Sequence, residues 1–154
     1  YFFNHTIQYG WDREKFEELL RVLPHQEGSE KLRMLEQATE MIKDTYLADL
    51  DADWAVYDRL RYQDCYRGLM VELAGVYLQS GQARNCLETA RFVLRTDPLL
   101  EAAHRLIIQA CASLHDPAGM TLQYRQYQQI LMTELGLHPS SEINTLYEQL
   151  LDEI

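Results

Sequence analysis

A chain of 154 residues and 18.1 kDa is long enough to bury a core without disulfides or metals to staple it. Its 47% hydrophobic and 25% charged residues exclude wholesale disorder, and no apolar run approaches the roughly 20 residues that span a bilayer. Fourteen Lys and Arg against 24 Asp and Glu leave a net charge of −10, a field that repels phosphate backbones and argues against a nucleic-acid wrap.

The first eleven residues read as extended. Tyr1-Phe2-Phe3 and Thr6-Ile7-Gln8-Tyr9 are aromatic and β-branched, and Gly10 ends them. They look like strand material without a sheet, as expected at the edge of a fragment. From Asp12 onward the pattern is helical. Phe16, Leu19, Leu20 and Leu23 form one apolar stripe before Pro24, and Leu32, Leu35, Ala38, Ile42 and Tyr46 form a second. The longest helix is expected to begin near Asp53–Trp54 and to end at Gly81, carrying Tyr66, Leu69, Met70, Leu73, Ala74, Tyr77 and Leu78 on one face. A shorter helix follows on Ala83, Cys86, Leu87, Ala90, Val93 and Leu94, then another from Leu99 to Leu114. The i, i+3, i+4, i+7 spacing of these sets suits a helix and not a strand. Two more helices are expected over 118–135 and 141–154. That makes seven.

The punctuation agrees with the periodicity. Asp97-Pro98 and Asp116-Pro117 each offer an N-cap oxygen followed by proline at the first helical position, where no N–H is needed. Gly81 and Gly136 stand where a left-handed residue ends a helix, and Leu137 can fold back on the last turn.

A period of 34 residues runs through the middle of the chain. On the tetratricopeptide pattern, Met70, Leu73, Ala74 and Tyr77 take first-helix positions, and Cys86, Ala90 and Pro98 take later ones. One period on come His104, Ile107, Ile108 and Cys111, then Met120 and Tyr124. Small residues at such positions let paired helices approach while larger ones fill the gap between pairs. Ala90 marks one close crossing. The fold class is therefore all-α, as stacked helical hairpins; a generic antiparallel bundle is the plainer alternative.

Catalytic constellations do not assemble. His5, His25, His104, His115 and His138 show no metal-binding spacing, and His104 at a core-facing position reads as a packed histidine. Neither a P-loop nor a nucleophile elbow nor a dinucleotide fingerprint occurs. Cys65, Cys86 and Cys111 are odd in number and contain no C-x-x-C pair, so they suggest neither a disulfide framework nor zinc. They fit a cytoplasmic chain. Neither an enzyme nor a cofactor is expected. Tyr57, Tyr62, Tyr66, Tyr124 and Tyr127 suit packing first and protein contact second. Arg59, Arg61 and Arg67, which could turn the first three into a nucleic-acid platform, are offset by Asp51, Asp53, Asp58 and Asp64.

One stretch is specific. Asp97-Pro98-Leu99-Leu100-Glu101-Ala102-Ala103-His104-Arg105 resembles the D-P-L-x-E-x-x-H-R signature of the bacterial transcriptional activator domain, the tetratricopeptide-like module of antibiotic regulatory proteins and their relatives. Gln123-Tyr124-Arg125 is similar to the family's Q-Y-R. The run from Glu134 to Ser140, with Glu142 and Leu146-Tyr147, resembles E-L-G-x-x-P-S-x-E-T-x-x-L-Y. Trp54, Arg59 and Arg61 resemble the W-x-x-x-x-R-x-R that leads into the long helix. The likeness covers about residues 11–151. Two departures stand out: Lys43-Asp44-Thr45-Tyr46-Leu47 lacks the glycine usual before the tryptophan, and Ile143 stands at the threonine.

The resemblance implies an organisation and a role. Residues 1–11 would be the remnant of a wing strand and linker from a winged helix-turn-helix domain upstream, and 12–154 the activator module. Such a module is a non-catalytic protein-interaction domain, meeting its own DNA-binding domain, a second copy or the transcription machinery, with neither nucleic acid nor membrane bound by this segment. The rival is a free-standing adaptor holding peptides in a concave groove. By analogy with repeat geometry, Val71, Gly75, Gln79, Arg105 and Gln109 would face that groove.

Overall fold

The computed structural model describes residues 5–46 and 56–153. Tyr1–Asn4 and the expected helix start at Asp53–Trp54 lie outside the described residues. Seven α-helices are present among those described: α1 (His5–Val22), α2 (Gly28–Tyr46), α3 (Val56–Gln79), α4 (Ala83–Thr96), α5 (Glu101–Ser113), α6 (Pro117–Leu135) and α7 (Ser141–Glu153). A 3-10 turn, Leu23–His25, follows α1 and takes Pro24 within it. The all-α expectation holds.

The extended reading of Thr6–Tyr9 is corrected, because these residues belong to α1. A lone strand leaves its amides and carbonyls unpaired, whereas a helix satisfies its own. Continuing an existing helix is also cheaper than starting a new element. Where the family glycine is missing, α2 simply runs on to Tyr46.

The chain forms two compact units, Tyr1–Glu72 and Leu73–Ile154. In the first, α1 packs on α2, burying Phe16, Leu23, Leu35, Ala38 and Ile42. Thr39 is buried among them and loses no hydrogen bond, since its Oγ1 donates to the Leu35 and Glu36 carbonyls at 3.0 and 2.9 Å. Lys31 Nζ reaches Glu72 Oε1 of α3 at 2.7 Å.

In the second unit α5 is the central helix, packed on α4, α6 and α7. Of the expected repeat positions, Leu73, Ala74, Cys86, Ala90, His104, Ile107, Ile108, Cys111 and Met120 are buried, whereas Met70, Tyr77 and Tyr124 are half-buried and Pro98 is exposed. Ala83 and Pro117 open α4 and α6, 34 residues apart. The helix ends repeat with the same period. After α3, the Gly81 N–H donates to the Leu78 carbonyl and Gln82 N–H to Tyr77, with Gly81 at φ 77°. After α5, the His115 N–H donates to Ala112 and Asp116 N–H to Cys111, with His115 at φ 53°. Both are Schellman caps.

The two Asp-Pro dipeptides part company. Asp116 is the N-cap of α6, its Oδ1 accepting from Gly119 N–H at 2.9 Å. The same carboxylate fills the space a β-carbon on Gly119 would need. Asp97, expected to cap a helix opening at Pro98, instead starts a turn. Its carboxylate accepts from Leu99 N–H at 3.3 Å, its carbonyl accepts from Leu100 N–H at 3.3 Å, and α5 begins only at Glu101. Proline at the second position of such a turn is as favourable as at a helix start. Gly136 ends α6 at φ 64°, and Leu137 N–H folds back to the Leu131 carbonyl, although the Leu137 side chain is 55% exposed.

Candidate functional site

Part of the signature, Pro98, Glu101, His104, Gln123, Tyr124, Ser140 and Tyr147, is gathered where α5, α6 and α7 pack. The turn at Asp97 aims the Pro98 carbonyl at His104, one of the few polar side chains buried among the described residues, at 1% exposure. His104 Nε2 lies 2.8 Å from that carbonyl and its Nδ1 lies 2.7 Å from Gln123 Nε2. A carbonyl only accepts, so Nε2 carries the proton and Nδ1 accepts from the Gln123 amide. The ring is therefore neutral. Burial pushes its pKa below the ordinary 6.5, and the Pro98 hydrogen bond and the charges of Glu101 and Asp97 oppose this only in part.

The Tyr127 ring stacks on His104 with centroids 4.2 Å apart. Its hydroxyl donates to Glu101 Oε2 at 2.9 Å, and Ser140 Oγ donates to Glu101 Oε1 at 2.6 Å. The Tyr127 phenol is pushed up by burial and by that carboxylate. Ser140 Oγ also faces the Ile143 N–H at 3.3 Å, which makes it the N-cap of α7. A second group of contacts lies alongside. Tyr124 and Tyr147 stack at 4.1 Å and nearly parallel, Tyr124 donates to Asn144 Oδ1 at 2.7 Å, and Thr121 Oγ1 pairs with the Tyr147 hydroxyl at 3.0 Å. Together these contacts clasp α5, α6 and α7. Ile143, in the family's threonine place, is wholly buried, which suits an apolar residue.

No buried side-chain polar atom among the described residues lacks a partner. A network in which each buried polar atom has a partner rigidifies and specifies packing. The buried thiols are quiet, Cys86 being pushed up to about 11 by burial and by Cys111 beside it. Among the described residues no group of His, Cys, Asp and Glu could hold a metal, and no helix is long and apolar enough to cross a membrane.

The expected groove residues are distributed over two helices. Gly75 and Gln79 lie a turn apart on α3, and Arg105 and Gln109 a turn apart on α5, all in the second unit. Gly75, Arg105 and Gln109 are half-buried and Gln79 is exposed. Val71 belongs to the first unit. A β-carbon on Gly75 would meet nothing within 4 Å, so packing does not demand glycine there. Arg105 is already engaged, its Nη1 lying 3.9 Å from Glu142 Oε2 of α7.

Sequence reasoning missed a different concavity. A cleft of about 490 Å³ lies between α4 and α6 beside the clasp, with Arg91 and Arg95 on one side and Gln126 and Gln129 on the other. Leu94, Pro98 and Ile130 add apolar surface, and no carboxylate lines it. The available signals were the i, i+4 arginine pair on α4 and the glutamine-rich run of α6.

In comparison with known proteins, the family model described as bacterial transcriptional activator domain matches residues 11–151. No curated protein and no solved structure matches the chain significantly.

Proposed function

Because the chain belongs to the bacterial transcriptional activator domain family, with the regulatory role in transcription that this carries, we propose that residues 12–154 are the protein-interaction module of a bacterial activator. The module works in the cytoplasm and contributes no chemistry of its own. It contacts the activator's DNA-binding domain, a second copy or the transcription machinery, while a winged helix-turn-helix domain upstream of Tyr1 reads the promoter and residues 1–11 form the junction.

The observation that carries this reading is the length of the family match, residues 11–151 and nearly the whole chain. The net charge of −10 supports the division of labour, because such a field opposes approach to DNA. The test compares three proteins: residues 1–154 alone, the chain with its upstream residues, and that longer chain with 12–154 removed. The first is expected to show no sequence-specific shift of promoter duplex even at low salt, where attraction is strongest. The second is expected to bind and to activate a reporter, and the third to lose activation. Specific binding by 1–154 alone, or full activation without 12–154, overturns the proposal.

A further inference from the structure

The polar atoms of the clasp have partners and the Cys86 and Cys111 thiols are buried, but the cleft between α4 and α6 is open and charged. Arg91 and Arg95 are exposed at its rim, and among the described residues no carboxylate pairs with either. The Arg95 guanidinium lies over the Phe92 ring at 4.9 Å, a contact that steadies the head group without neutralising it. In a chain of net charge −10, α4 runs the other way, with Arg84, Arg91 and Arg95 against Glu88. An anionic partner repelled elsewhere is therefore attracted here.

Spacing narrows the class of partner. Four helical residues advance about 6 Å along the axis, so the two guanidinium groups leave α4 about that far apart. Side chains on one edge of an extended peptide recur every 6.6–6.8 Å or so. Carboxylates at alternate residues of such a peptide thus match Arg91 and Arg95 in register. The facing glutamines supply what the peptide backbone needs, since each primary amide both donates and accepts. The residue between the two carboxylates points the other way, toward α6, where Ile130 offers apolar surface. A small anion would use the arginines and leave the opposite wall idle.

We propose that the α4–α6 cleft binds an extended acidic segment of a partner protein, with carboxylates at alternate residues paired to Arg91 and Arg95 and the backbone held by Gln126 and Gln129. This rests on the interaction-module reading and names the chemistry of the partner.

The test is fluorescence anisotropy on the 154-residue chain with two fluorescein-labelled peptides of equal composition, one alternating Glu and Leu and one with the two types in separate blocks. Saturable binding that favours the alternating peptide is expected. Arg91→Glu with Arg95→Glu should weaken it by about tenfold or more, and Arg84→Glu, a single charge reversal on α4 outside the cleft, should leave it within about twofold, where Arg91→Glu alone does not. Circular dichroism melts show whether each variant folds. The neutral pair Arg91→Gln and Arg95→Gln provides the reading if the reversed pair does not. Equal affinity in parent and double variant, absence of saturation, or tighter binding of citrate or of an oligothymidylate overturns the proposal. Activation lost with 12–154 while the peptide fails to bind would remove the cleft and leave the module's role standing.

Discussion

His115 takes a backbone conformation that side chains rarely adopt, φ 53°, at the position that Gly81 fills with φ 77° one repeat earlier. The left-handed region costs a residue with a β-carbon about 1–2 kcal/mol, offset in part by the smaller entropy it loses on folding relative to glycine. His115→Gly should therefore stabilise the chain, by about 0.5–1 kcal/mol, and Gly81→Ala should destabilise it by a similar amount. Urea melts of both variants check this; shifts of the same sign would show that the two helix ends are not equivalent. His104 makes a different prediction. Its pKa is lowered in the folded chain by burial, so below pH 6.5 the unfolded chain binds a proton that the folded one refuses. Stability contributed by the neutral ring is full above that pH and is lost as pH falls toward the lowered value, at up to about 1.4 kcal/mol per pH unit. Melts between pH 8 and pH 5, compared with His104→Gln, should show this component in the parent alone. Parallel profiles would mean the ring is protonated in place.

At the scale of the helix, Ala90 is the informative residue, at 1% exposure on the buried face of α4. Leucine there adds volume where α4 packs closely, so Ala90→Leu should cost about 1–3 kcal/mol, and an unchanged thermal melt would show that the face is looser than its burial implies. The helices themselves were legible because their signals are local and redundant. The ends of α6, for example, were marked by Asp116-Pro117 and by Gly136 as well as by periodicity. Misreadings arose where a local signal has two physical outcomes. An Asp-Pro pair suits a turn as well as a helix start, and what accompanies the choice at Asp97 is the His104 ring taking the Pro98 carbonyl. Thr6–Tyr9 have strand propensity, which is a weak preference when no neighbouring strand exists to pair with. The clasp was legible only residue by residue. Glu101 and Ser140 lie 39 positions apart, and nothing periodic connects them. The cleft was hidden for the related reason that its two walls belong to different helices whose exposed faces carry no hydrophobic pattern.

Across the whole molecule, charge is the dominant asymmetry. At −10 the folded chain repels itself, whereas its ion pairs, such as Arg33 with Glu30 and Arg105 with Glu142, are exposed and individually worth little. Screening should therefore help more than it harms. Raising sodium chloride from about 10 mM to about 200 mM is expected to raise Tm by about 2–4 °C; a falling Tm would show that attraction between charges outweighs repulsion. The clasp carries a consequence of another kind. Glu101, His104, Gln123, Tyr124, Ser140 and Tyr147, six of the residues by which this family can be recognised, are consumed in holding three helices together, so they constrain the scaffold rather than the outer faces. A module built this way is a chassis: its surface can be rewritten for a new partner, arginine by arginine, without touching what keeps it folded. Two activators could thus share every residue of the clasp and answer to entirely different signals.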